Sequence, residues 1–143
     1  MYHVDLLENS LADKTLTHED LRVQIKRPAQ TNPNIPYEWS FAIDAVDGGI
    51  VETDDAFLYR APDAGYLPGY EYVTPSDERM KWRRGLNKKF YLRSRGGKVY
   101  ASVDLGVENF DNESDACLTL RCLVNPAGSP NLEYDSGKKI NPQ

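Results

Sequence analysis

Residues 89–105, "KFYLRSRGGKVYASVDL", decide the fold. Two runs of alternating apolar and polar residues flank Gly96-Gly97, and a glycine pair accepts the positive φ angles that a tight β-hairpin turn demands. Counting outward from the turn sets Arg95 against Lys98, Ser94 against Val99, Arg93 against Tyr100 and Leu92 against Ala101. Tyr91 then meets Ser102, Phe90 meets Val103, and Lys89 meets Asp104. Alternate pairs share a face. One face collects Phe90, Leu92, Ser94, Val99, Ala101 and Val103 for a core. The other carries Lys89, Tyr91, Arg93, Arg95, Lys98 and Tyr100. A slip of one residue would mix the two sets, so the register is strongly specified.

Other segments repeat the pattern. "LRVQIKRP" (21–28) alternates Leu21, Val23 and Ile25 with polar residues and stops at a proline. "EWSFAIDAV" (38–46) alternates Trp39, Phe41, Ile43 and Ala45. Asp47-Gly48-Gly49 turns it, and "IVET" is expected to return as the second arm of a hairpin. "AFLYR" (56–60) reads as a weaker strand, and "APDAGYLPGYEYVTP" (61–75) as an aromatic loop that includes a short strand. "ACLTLRCLV" (116–124) is a strand with Ala116, Leu118, Leu120, Cys122 and Val124 on one side. Cys117 and Cys122 fall on opposite faces of it, too far apart for a disulfide within the strand. Ser76 as N-cap, acidic residues after it, Arg83 and Arg84 at the end and Gly85 beyond predict one short helix.

About six or seven short strands with scattered turns predict a mainly β chain, an antiparallel β-sandwich of jelly-roll or immunoglobulin-like type with one short helix. At 143 residues it reads as a single β-rich domain, residues 1–143, with loosely ordered ends at 1–19 and 134–143. No apolar run reaches the ~18 residues of a membrane span. The first residues, "MYHVDLLENS", lack the basic start and apolar centre of a signal peptide.

Charge separates the chain into parts. Residues 1–78 hold five basic and fifteen acidic residues, whereas residues 79–98 hold nine basic residues and no acid. The run divides into the helix, with Lys81, Arg83 and Arg84, and the hairpin face. A sheet face that mixes cations with aromatic rings can hold an anionic polymer or single-stranded nucleic acid by charge and stacking. It can equally be a solvated face balanced by the acidic "DAVDGGIVETDD" (44–55). Nucleic acid is not the expected partner, since no nucleic-acid motif accompanies the face; a protein or polysaccharide is.

Tyr66, Tyr70, Tyr72 and Trp82 lie in or near Pro/Gly-rich segments and offer an alternative, a carbohydrate-binding platform. Asp44, Asp47, Glu52, Asp54 and Asp55 crowd a turn and form a weak calcium candidate that matches no EF-hand spacing. No catalytic residues are assigned. His3 and His18 are the only histidines, and no nucleophile elbow, zinc motif or phosphate loop occurs. No cofactor is expected.

"KFYLRSRGGKVYASV" followed by "NPAGSPNLE" (125–133) resembles C-terminal β-domains of uncharacterised secreted bacterial proteins, some placed after carboxypeptidase-regulatory-like or immunoglobulin-like modules. The resemblance spans roughly residues 38–135, with Pro130 where an arginine is expected. It implies a β fold, an extracytoplasmic home within a larger protein and no assigned activity. Together these readings predict a non-catalytic accessory or protein-binding domain that uses the basic, aromatic hairpin face.

Overall fold

A computed structural model describes residues 1–28, 35–55, 60–74, 82–110 and 116–132. Nine strands are present among the described residues: β1 (Tyr2–Asp5), β2 (Ser10–Ala12), β3 (Leu21–Lys26), β4 (Trp39–Ala45), β5 (Gly49–Thr53), β6 (Gly69–Thr74), β7 (Gly85–Ser94), β8 (Val99–Asn109) and β9 (Ala116–Asn125). They form two antiparallel sheets, in the orders β2-β1-β3-β4-β6 and β5-β7-β8-β9, packed as a β-sandwich.

The period-two pattern explains the core. Leu21, Val23, Trp39, Phe41 and Ile43 project from one sheet, and Phe90, Leu92, Ala101, Val103 and Leu105 from the other; all are buried. Burying each large side chain contributes about 1.5–3 kcal/mol, so this double row supplies the main favourable term. The β7–β8 register is the one counted from the glycine pair, from Ser94↔Val99 through Lys89↔Asp104. The turn is wider than two residues, however. Arg95, Gly96 and Gly97 all have positive φ (51°, 65° and 88°) and form a 3-10 turn in which the Lys98 N–H donates to the Arg95 carbonyl.

Several expectations are corrected. Residues 49–53 do not return beside β4: Asp47-Gly48-Gly49 carries the chain across to the other sheet, where β5 pairs with β7. Gly48 is required at this crossing, because a Cβ there would meet the Arg93 carbonyl oxygen of the hairpin. Residues 1–19, expected as a loose end, hold β1 and β2, with Val4, Asp5 and Leu6 buried. The short strand expected within residues 61–75 is, by contrast, present as β6, paired with β4. Of the expected short helix, residues 76–81 lie outside the described residues, and Trp82, Arg83 and Arg84 are non-helical and lead into β7. Most of the weak strand at 56–60 and the tail from 134 also lie outside them. Among the described residues no helix is long and apolar enough to cross a membrane.

One side of the sandwich is stitched shut. Ile50 in β5 and Leu67, just before β6, exchange backbone hydrogen bonds of 2.7 and 2.8 Å, and the Ala45 N–H donates to the Pro68 carbonyl. The opposite side ends on β2 and β9, with no comparable bridge among the described residues.

Candidate interaction face

The hairpin carries its basic and aromatic residues to three different environments. Nearest the turn, Arg95 folds inward instead of joining the outward face. Its guanidinium donates to both oxygens of Asp20 (Nε–Oδ1 2.9 Å, Nη2–Oδ2 3.0 Å) and to Asp5 Oδ1 at 2.8 Å. Asp20 is fully buried and also accepts from Ser94 Oγ at 2.6 Å and from the Leu6 N–H at 2.8 Å. Burial alone would raise its pKa. The donors from Arg95, Ser94 and Leu6 outweigh that and hold the carboxyl below the usual aspartate range. The left-handed backbone of Arg95 costs about 1–2 kcal/mol, which these charge-assisted bonds offset. The cluster joins the segments around β1 and β3 to the hairpin of the other sheet.

In the middle of the face a loop covers the rings. Tyr91 is only 3% exposed and packs with Ala61 and Leu132 in a small second cluster, which Tyr66 and Tyr100 flank. The Tyr91 hydroxyl donates to Asp55 Oδ2 at 2.9 Å. Burial first, then Asp55, pushes its pKa up to about 12. Arg93 lies over the Tyr66 ring at 4.6 Å, and the Tyr66 hydroxyl donates to the Pro62 carbonyl. Lys98 stays exposed at the turn. The chain 60–67 thus roofs this part of the sheet, a role that outward alternation alone could not reveal.

Toward the other end the outward face is open. Here β7, β8 and β9 form three cross-strand rows: Gly85–Glu108–Cys117, Asn87–Gly106–Thr119 and Lys89–Asp104–Arg121. Gly106 at the centre and Gly85 at one corner carry no side chain, and a trough of ≈ 670 Å3 forms there, lined by these residues with Arg84, Leu86 and Val107. Its rim alternates donors (Asn87, Lys89, Arg121) with acceptors (Asp104, Glu108). Lys89 is the one residue of the expected hairpin set that lines it. Arg121, Thr119, Glu108, Asn87 and the two glycines were not singled out from sequence; continuing the period-two count through β9 would have placed Arg121 and Thr119 here.

The four aromatic residues of the alternative platform are dispersed. Tyr70 and Tyr72 point into the sandwich from β6, against Phe41, Trp39 and Phe90 with ring centroids 5.2–6.0 Å apart. Tyr66 lies under Arg93 on the opposite sheet. Trp82 packs edge-on to Tyr37 at 5.2 Å, and its Nε1 donates to the Tyr37 carbonyl. The calcium candidates separate too. Asp44 faces Arg22 on the five-stranded sheet, Asp47 sits in the crossing, Asp54 is exposed, and Glu52 accepts from Lys88 at 2.7 Å. Among the described residues no three His, Cys, Asp or Glu side chains converge as a metal site. Both cysteines are free, and burial pushes the Cys122 thiol up to about 12.

Comparison with known proteins finds no matching family model, no matching curated protein and no matching solved structure.

Proposed function

We propose that this domain is a non-catalytic interaction module whose contact surface is the open end of the outward β7–β8–β9 face. The observation that carries the reading is the trough: a sheet face normally filled by side chains is bare at Gly85 and Gly106 and bordered by alternating donors and acceptors. An extended polar chain can approach the backbone there. Cations and carboxylates nearly balance along the rim, which favours a hydroxyl-rich polysaccharide segment over a strongly anionic polymer.

Titration of neutral and carboxylated glycans, with single-stranded DNA alongside, at two salt concentrations tests it. The decisive variant is Gly106→Val. Its new Cβ would approach only the movable Asn87 amide oxygen (2.9 Å) and Thr119 Cβ (3.7 Å), and valine suits a strand. The fold is therefore kept while the trough is filled. Binding to a glycan that changes little with salt and weakens at least about tenfold in Gly106→Val, some 1.4 kcal/mol, supports the proposal. Binding indifferent to Gly106→Val, or no glycan binding at high micromolar concentration, overturns it. Steeply salt-dependent DNA binding would instead favour a nucleic-acid role for the cations.

A further inference from the structure

The sandwich has four sheet edges, and three are managed. The β2 edge is three residues long, the β5 edge is engaged by Leu67, and β6 lies on the stitched side and carries Glu71. β9 differs. It is ten residues long, contains no proline, lysine or carboxylate, and has Arg121 as its one charge. Among the described residues β9 pairs only with β8, leaving its other edge without a strand. Its inward row, Leu118, Leu120, Cys122 and Val124, is only half-buried, and Leu123 on the outward row is 45% exposed. A long edge protected by a single charge is a template for another strand.

We propose that β9 pairs antiparallel with β9 of a second copy of this chain, about a two-fold axis at Leu120, to make a continuous eight-stranded sheet. Side-chain alternation requires inward residues to meet inward residues, so the axis must pass through a residue. An axis at Arg121 would set that arginine against its own copy, which like charges oppose. The axis at Leu120 instead matches Ala116–Val124, Leu118–Cys122 and Leu120–Leu120 on the inward side, giving the half-buried aliphatic row an apolar neighbour along its length. On the outward side it sets Arg121 opposite Thr119 of the partner. With strands ~4.8 Å apart, each Arg121 then extends the partner's Asn87–Gly106–Thr119 row by one position, at the border of the trough. Glu108 flanks that row on β8 and carries no ion pair among the described residues, while Asp104 on the other side stands between Lys89 and Arg121 of its own chain. The charge complementarity is reciprocal, as a two-fold interface requires.

Sedimentation equilibrium of the full chain over a wide concentration range tests this, with Thr119→Glu and Thr119→Arg beside the parent. Thr119 is exposed, so neither change threatens the fold. The parent is expected to dimerise reversibly. Thr119→Glu faces Arg121 twice across the axis and should tighten the dimer, whereas Thr119→Arg should weaken it, each by about 2- to 30-fold for two cross-strand charge pairs. A chain that stays monomeric at its highest soluble concentration overturns the proposal. So does a dimer whose dissociation constant ignores both substitutions or moves the same way for both.

Discussion

Arg95 and Lys89 belong to one hairpin strand and its turn, six positions apart, and the same alternation assigns both to the outward face. Arg95 is clamped by two carboxylates, one of them fully buried, while Lys89 stands at the rim of an open trough. The difference lies in what each end meets. The turn abuts Asp5 and Asp20, brought from the other sheet through the segments around β1 and β3. The far end faces Asp104 and Arg121 of its own sheet, beside the side-chain-free Gly106. Two cations that look alike in sequence are therefore a structural fastener and a contact group at the rim of the trough.

The largest expected effect comes from breaking the fastener. Asp20→Ala removes the carboxylate that satisfies Arg95, Ser94 and the Leu6 N–H; loss of one partner of a buried pair costs about 3–5 kcal/mol. Asp5 keeps part of the pairing, so chemical denaturation should find the lower end of that range. A cost under about 1 kcal/mol would mean that the cluster is not buried as described. Acid titration checks the same group. The folded-state pKa of Asp20 is depressed, so its stabilisation is fully present above about pH 4 and is lost as pH falls through the lowered value. The acid limb of the stability curve should flatten in Asp20→Ala.

Gly96→Val is intermediate. It forces a β-branched residue to φ near 65° in the turn that places Arg95, at a cost of about 1–3 kcal/mol; an unchanged melting temperature would contradict this turn geometry. The smallest effect belongs to Lys89→Ala, which should change stability by no more than about 0.5 kcal/mol while weakening any ligand that occupies the trough. A large stability loss there would erase the contrast between the two ends.

The hairpin register was legible because side-chain period and turn chemistry both point to it, and the strands at 21–26, 39–45 and 116–125 were legible for the same reason of alternation. The Asp47-Gly48-Gly49 crossing was not. A glycine turn serves a hairpin or a sheet-to-sheet corner equally, and only the pairing of β5 with β7 shows which. The N-terminal strands were hidden because β1 is four residues long and β2 three, too short to show a period. The roof over Tyr91 and the capture of Arg95 depend on contacts made from far along the chain, which local pattern does not encode.

The Asp20–Arg95 cluster also bears on the order of folding. β7, β8 and β9 follow one another as a meander, with contacts local in sequence that close small loops. The cluster unites residues 75 and 90 positions apart, and loop closure over such spans is an entropic cost that must be met before the contacts return anything. A fastener of that kind is expected to form after the meander is in place, so that Asp20→Ala should speed unfolding and leave the folding rate nearly unchanged.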